Sequence, residues 1–456
     1  MPKMRIFNTL TGREEEFSPL RPPLVTMYVC GPTVYDLPHM GHARVAVFFD
    51  VVRRWLTRRG FSVRMVMNVT DVEDKIINRA RELGVPWSAV ARHYEAAFWE
   101  DMLRLGVSPP DIAPRASEHI PEMVEAIGSL VEKGHAYFAG DGVYFHVPTF
   151  PGYGKLSKIR REELVAGARV EPGEGKRDPA DFALWKCREE EPSWDSPWCR
   201  GRPGWHIECS VMSMKYLGET IDIHGGGADL IFPHHENEIA QSEALTGRTF
   251  VRYWMHVGLV RLKGEKMSKS TGLLFTVREA LKRYSPEAVR HALLNTHYRK
   301  PLEFDEALLE EGSSAVRELS AAHRELLEAA APGPAPPWVE GEVERRLRAF
   351  ASAMDSDFNT HLAIGEMRSL AEAAFRDPGP GGASLILLAL WEMDSVLGLV
   401  PRADPRTERL VEGLLAWRAE ERSRRNFPLA DRIRGLLRSS GFEVEDRAGG
   451  YRWSLR

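Results

Sequence analysis

LVTMYVCGPTVYDLPHMGHARVAVFFDVVRRWLTRRG, residues 24–60, reads as a strand, a break and a helix. The run LVTMYVC is apolar and rich in Val and Thr, and it ends at Gly31-Pro32, so it reads as a buried strand that stops there. Residues 43–60 read as a helix. Val45, Phe48, Phe49, Val52, Trp55 and Leu56 share one face, while Arg53, Arg54, Arg58 and Arg59 lie elsewhere. A second strand over residues 62–69 and another helix over 72–83 follow. Strands this apolar, separated by helices, argue for a parallel sheet covered by helices.

Outward from that unit the pattern loosens over residues 113–204. A helix over 121–133 precedes short strands within 137–147 and then a stretch dense in Pro, Gly and charge, which reads as an insertion. The α/β pattern resumes at 220–224, passes a Gly-rich turn at Gly225-Gly226-Gly227 and reaches a strand over 253–262. Beyond Val277 the chain is helical in pattern, with a linker at 331–337 (APGPAPP) and a break at 376–382 between helices. The end differs again: helices over 408–425 and 430–437 precede strands over 442–445 and 451–455, turned at Gly449-Gly450. The expected architecture is multidomain α/β. A Rossmann-like, doubly wound parallel sheet carries an inserted connective domain, and an α-helical domain and a small C-terminal α/β domain follow.

The formal net charge is −4, so no global basicity advertises a polyanionic partner. From Pro401 onward, however, 13 Arg and no Lys stand against nine acidic residues, a local +4 on a body of −8. Four cysteines (Cys30, Cys187, Cys199, Cys209) do not make a disulfide framework. No window has the apolar length of a membrane span or signal peptide. The expectation is a cytoplasmic protein with reduced thiols and no membrane association.

Three constellations carry chemistry. His39-Met40-Gly41-His42 stands between a strand and a helix start, where unpaired N–H groups and a partial positive charge suit phosphate oxygens. Gly41 allows close approach, and two histidines can donate hydrogen bonds to a triphosphate. Taken alone, the tetrapeptide reads equally well as two surface histidines. Lys266-Met267-Ser268-Lys269-Ser270 lies in a polar stretch after a strand, where two ammoniums suit a pyrophosphate leaving group, although alone it reads as a solvated loop. Third, His234 and Glu238 are four apart on a helix beginning near Pro233, so both share a face. With Cys30 at the end of the first strand and Cys209 in GWHIECS they form a zinc-type donor set, and four such ligands normally close a structural site. A zinc that accepts a fifth ligand would favour a thiol over a hydroxyl. Cys187 and Cys199 could join His206 or His224 in a separate site, but their spacing fits incidental thiols better. His235 is expected to point away from the His234–Glu238 face.

The first two signatures, about 225 residues apart, resemble the HIGH and KMSKS motifs of class I aminoacyl-tRNA synthetases, with Met40 in place of Ile. With MYVCGPTVYD, NVTDVEDK, GWHIECS and HGGGADLIFPHHENE, the whole chain resembles the cysteinyl-tRNA synthetases of bacterial type. The resemblance implies ligation of L-cysteine to tRNA with ATP and Mg²⁺, one zinc per chain, and a monomer. It assigns the zinc to Cys30, Cys209, His234 and Glu238. It makes His39, His42, Lys266 and Lys269 catalytic and sets Gly41, Gly227 and Asp229 near the nucleotide. Thr70 and Trp205 would line the amino-acid pocket. The implied domains are a catalytic domain split between 1–115 and 205–264, the insertion 116–204, a lysine-loop and stem-contact region 265–330, a helical bundle 331–400 and an anticodon-binding end 401–456. A ligase passing cysteine to an amino sugar would share both signatures and the zinc set, but it lacks a full anticodon-reading end. Here MDSDFNT (354–360) and the basic C-terminus resemble that end, where Arg meets phosphate and Trp453 could stack on a base; His361, where the family often has proline, departs from it. Intact signatures argue against a non-catalytic RNA-binding paralogue, and the lack of HExxH argues against a zinc hydrolase.

Overall fold

The computed structural model describes residues 3–159, 175–262, 265–266, 275–401, 405–439, 442–447 and 450–455. An N-terminal hairpin, β1 (Arg5–Asn8) and β2 (Arg13–Glu16), precedes β3 (Leu24–Val29), α1 (Met40–Arg58), β4 (Ser62–Met67), α2 (Asp74–Leu83) and α3 (Trp87–Arg104). The insertion holds α4 (Ile120–Glu132) and an antiparallel sheet of β5 (Ala136–Phe138), β6 (Gly142–Phe145), β7 (Phe182–Cys187) and β8 (Gly201–Pro203). Then come α5 (Trp205–Leu217), β9 (Ile221–Gly227), α6 (Glu236–Thr246), β10 (Val251–Val257), β11 (Val260–Leu262) and β12 (Glu265–Lys266). The remainder is mostly helical: α7 (Val277–Leu281), α8 (Pro286–Leu294), β13 (Leu302–Glu303), α9 (Glu306–Ala329), α10 (Pro337–Asp355), α11 (Thr360–Ala371) and α12 (Gly379–Leu397). A terminal unit of α13 (Pro405–Ser423), α14 (Phe427–Ser439) and the hairpin β14 (Phe442–Arg447) with β15 (Gly450–Leu455) closes the chain.

The central sheet has the order β10-β9-β3-β4 and is parallel throughout. The chain runs from β3 outward to β4 and later returns to β9 on the other side of β3. That reversal opens a crevice beyond the carboxyl ends of β3 and β9, the place where open α/β sheets bind ligands. Alternation along β3 splits the core. Val25, Met27 and Val29 pack with Val47, Phe48 and Phe49 of α1, whereas Tyr28 and Cys30 face Ile207, Cys209 and Met212 of α5. Each such buried side chain contributes about 1.5–3 kcal/mol.

Three sequence expectations change. Gly225, Gly226 and Gly227 are the end of β9, not a turn. A Cβ on Gly225 would stand 1.9 Å from the Phe49 ring, so the glycine serves the packing of α1 on the sheet. The strand read over 253–262 is two strands, and Gly258 between them has Lys300 O where a Cβ would be. Finally, Cys187 and Cys199 are joined in a disulfide, with Cα atoms 5.7 Å apart, so these two thiols are not free. The β7–β8 pairing sets Cys187 opposite Gly201, and the intervening loop brings Cys199 back beside it. Among the described residues no helix is long and apolar enough to cross a membrane.

Candidate active site and metal centre

His39 is the N-cap of α1. Its Nδ1 accepts a hydrogen bond from Gly41 N at 3.0 Å, and His42 Nδ1 accepts from His39 N at 3.4 Å, closing a capping box. The rings stack with centroids 3.8 Å apart. Because each Nδ1 is an acceptor, each neutral ring carries its proton on Nε2. Burial, with His39 and Lys75 nearby, holds His42 well below the usual imidazole value, so it stays neutral. A side chain at Gly41 would stand 2.8 Å from the His39 ring, so glycine is what lets this cap form.

Residues 275–277, which follow the lysine stretch in sequence, pair with the same turn. His39 pairs with Thr276, Met40 N donates to Phe275 O at 3.2 Å, and Val277 N donates to Pro38 O at 3.0 Å. On the other flank the backbone of Lys266 sits in β12, opposite Arg261. Lys269 lies outside the described residues.

Cys30, Cys209, His234 and Glu238 converge from the end of β3, from α5 and from the turn into α6, with their donor atoms all within 4.8 Å of one another. The two sulfurs are 3.8 Å apart, Cys30 Sγ is 3.7 Å from Glu238 Oε1, and His234 Nε2 is 3.0 Å from that oxygen. All four are buried. Burial works against the charge on Glu238, but His224 and His234 more than offset it and hold the carboxylate well below its usual range. Burial likewise opposes charging of His234, and Glu238 with Cys209 reverses that and raises it. The Cys30 thiol is pushed up by burial and by Cys209 and Glu238. Three groups that carry or can take negative charge thus surround one imidazole in a dry site, an arrangement a divalent cation would neutralise.

His235 does not point away. Residues Ile231–His235 form a wider, π-type turn with Phe232 in extended conformation, which swings His235 Nε2 to 3.3 Å from Cys30 Sγ. His224 Nε2 lies 2.8 Å from Glu238 Oε2, giving a second four-donor set of Cys30, His224, His235 and Glu238. The sets share Cys30 and Glu238. The first has two thiols, and the second has imidazoles that hold its neighbours: His224 on Glu238, and His235 on His256 at 2.8 Å. His206 stands 2.9 Å from His234 through the two Nδ1 atoms. The histidines set aside for a separate cysteine site therefore surround this one.

One cleft joins both walls. Cys30, His39, Gly41, His42, Trp205, Gly227 and Asp229 line it, and the Trp205 indole stacks on the His234 ring at 4.2 Å. Thr70 is buried just behind, its backbone bridged to Thr33 of the cleft wall.

Residues 16–314 match the family model described as tRNA synthetases class I (C) catalytic domain. The cysteine–tRNA ligase of Thermococcus onnurineus (strain NA1) is 49% identical over 469 residues, spanning 99% of this chain and 98% of that protein. The cysteine–tRNA ligase of Thermotoga maritima is 47% identical over 464 residues, spanning 99% and 100%. The chain belongs to the cysteine–tRNA ligase family. A methionyl-tRNA synthetase of Mycobacterium tuberculosis, solved with methionyl-adenylate, shares the fold at a TM-score of 0.63 and 16% identity, covering 82% of this chain and 92% of that one.

In this cysteine–tRNA ligase fold, sequence reasoning overlooked Lys75 as well as the histidine shell. Lys75 lines the cleft, with Nζ 5.6 Å from the Tyr35 ring, and adds a cation beside His42. Its signal was present in NVTDVEDK, where one lysine stands among acids. Glu208 was also overlooked. It is fully buried next to Cys209, and burial, with Cys209, Asp71 and Glu73 nearby, pushes its carboxyl well above the usual range.

Proposed function

We propose that the chain activates L-cysteine with ATP and passes it to the 3′ end of tRNA, with zinc held by Cys30, Cys209, His234 and Glu238. The observation that carries this is the thiol pair. Two thiolates about 2.3 Å from a tetrahedral zinc stand about 3.8 Å apart, and the Cys30 and Cys209 sulfurs are 3.8 Å apart. The donor set fits that metal, and it opens through Cys30 onto the cleft of His39 and His42. Bound there, zinc would favour the substrate's sulfur over a serine hydroxyl, a chemical discrimination that shape alone cannot supply.

The reaction has two steps. The cysteine carboxylate attacks the α-phosphorus of ATP, which enters with Mg²⁺, and pyrophosphate leaves. A ribose hydroxyl of the tRNA terminus then attacks the carbonyl carbon, and AMP leaves. His39 and His42 serve the first step as neutral Nε2–H donors at the N-terminus of α1. Lys266 and Lys269 neutralise the departing pyrophosphate; the pairing of Phe275–Val277 with Pro38–Met40, just beyond them in sequence, supports that role. Gly227 and Asp229 contribute to the nucleotide side of the cleft, and Thr70 and Trp205 to the amino-acid side. Positioning and electrostatics supply the acceleration without an obligate general base.

A tRNA acceptor, rather than an amino sugar, is supported by relatives matched over nearly their whole length, the C-terminal end included. The test is incubation with labelled cysteine, ATP, Mg²⁺ and unfractionated tRNA. RNase-sensitive, acid-precipitable label is expected. Cysteine-dependent pyrophosphate exchange without label on tRNA would move the acceptor to an amino sugar.

A further inference from the structure

Arg44 follows His42 by two residues on α1, and its side chain is wholly buried. No carboxylate among the described residues pairs with it, and burial draws the guanidinium down to about 10, still a cation at neutral pH. Its bonds go to main-chain oxygens instead. Nη1 donates to Gly258 O at 2.7 Å and to Leu259 O at 3.4 Å, and Nη2 donates to Lys300 O at 2.8 Å and to His297 O at 3.4 Å. A buried cation without a counter-charge costs stability, so its presence here asks for a role.

Two of those oxygens belong to the cleft. Gly258 and Leu259 line it together with Val45, Ala46 and Val260. In the order β10-β9-β3, the end of β10 lies two strands from the end of β3, about 10 Å at the usual strand spacing. The cleft is therefore polar at one end, where His39, His42 and Lys75 suit phosphates, and aliphatic at the other. A nucleotide with its phosphates at the N-terminus of α1 has the aliphatic end left for its base.

That end of the wall is fixed from behind. Gly258 N donates to Tyr298 O at 2.7 Å, and Leu302 N donates to Leu259 O at 2.9 Å. A Cβ on Gly258 would stand 2.3 Å from Lys300 O, so the loop 297–300 lies directly against the wall. The loop is held in turn by Asp357, which accepts from Tyr298 Oη and from Arg299 Nε, each at 2.7 Å. Asp357 and Phe358 have φ of 56° and 49°, a left-handed conformation that non-glycine residues keep only where their surroundings impose it. Arg44 bridges wall and loop from the same helix that presents the two histidines.

We propose that Arg44 is a positioning residue for the nucleoside half of ATP, holding the Gly258–Leu259 backbone in register with His39 and His42. The inference rests on the reading above that ATP occupies this cleft. A planar guanidinium spans Gly258 O and Lys300 O together, whereas a lysine ammonium is a single point on a flexible stem.

The test is calorimetric binding of ATP, adenosine, inorganic tripolyphosphate and cysteine to the full-length, zinc-loaded protein and to its Arg44→Lys and Arg44→Gln variants. Both variants should weaken adenosine about tenfold and leave tripolyphosphate and cysteine within about twofold, the size expected for lost hydrogen bonds from a charged group. Tripolyphosphate weakened in Arg44→Gln but not in Arg44→Lys would overturn the proposal by making Arg44 a charge for the phosphates. Equal weakening of every ligand, or failure of both variants to fold, would overturn it by making the side chain structural. Parent affinity for adenosine in either variant would overturn it by making the fork dispensable. A parent protein that binds no ATP would instead bring down the reading of the cleft, and this inference with it.

Discussion

On one wall of the crevice, His39, Gly41 and His42 come from four consecutive residues and remain partly exposed. On the other, Cys30, Cys209, His234 and Glu238 come from separate elements between β3 and α6, and all are buried. The first wall is made by local backbone chemistry: a cap, a glycine and the orphan N–H groups of a helix start. The second exists only when the sheet, α5 and the turn before α6 are packed, and its charges hold one another's protonation states. A locally built wall tolerates loss of one member gradually. A buried set of coupled charges does not, because removing one partner leaves the others uncompensated.

That difference sets the order of expected effects. The largest belongs to the buried wall: Cys209→Ser, or chelation of the proposed zinc, should lower cysteine-dependent pyrophosphate exchange about a thousandfold or more and erase the preference for cysteine over serine. Exchange that survives chelation unchanged would reduce that wall to a structural knot and end the contrast.

At the histidine wall, His42→Ala should lower kcat for exchange by about 10²–10³ with little change in KM for cysteine, the size of losing one preorganised donor. His39→Ala should also lose about 1 kcal/mol of stability with its cap, which His39→Asn restores without restoring the rate. Since His42 is held neutral by burial and by His39 and Lys75, the rate should carry no limb from it between pH 8 and 6. On unfolding, the ring returns to its ordinary value near 6.5. The unfolded chain then binds more protons below that pH, so the stabilising contribution is whole above it and is lost as pH falls through the folded value. A limb near pH 6.5 that disappears in His42→Ala would show the ring to act as a cation instead.

Below these comes the histidine shell. His224 orients Glu238 from 2.8 Å, so His224→Asn should weaken metal binding by about 10–100-fold, with exchange recovering at saturating zinc. Metal affinity unchanged by that variant would mean that Glu238 is held by the protein frame alone.

Legibility followed the same divide. The histidine cap could be read from HMGH because its geometry is set within one helical turn. The convergence of Cys30, Cys209, His234 and Glu238 could be read from thiols and an i, i+4 pair, together with the resemblance. The shell could not, because His224 comes from a strand read as ending before a turn, and His235 was placed by regular helical spacing. The π-type turn at Ile231–His235 broke that spacing. α5, which carries Cys209, gave no helical period either: Ile207, Glu208, Cys209, Ser210, Val211, Met212 and Ser213 are all buried, so the helix has no extended polar face to alternate with. The disulfide between Cys187 and Cys199 depends on a strand pairing in the insertion that spacing alone does not encode.

The smallest expected effect sits where the two walls meet. Gly225 takes the Phe49 ring of α1 where a Cβ would be, and its carbonyl accepts the hydrogen bond of Cys30 N at 2.9 Å. It therefore touches the helix that presents His39 and the strand end that presents Cys30. A methyl group at 1.9 Å from the ring must push α1 outward or move β9, because the ring is packed on all sides. Overpacking of this kind costs about 1–3 kcal/mol, so Gly225→Ala should lower the thermal midpoint by a few degrees and reduce exchange modestly. Trimming the ring should return part of both in the double variant Gly225→Ala/Phe49→Leu, as expected for residues in contact. If the walls are mechanically separate, the two losses divide: metal content or histidine-dependent rate changes alone. If they share the β9 joint, both move together, and both recover together with Phe49→Leu.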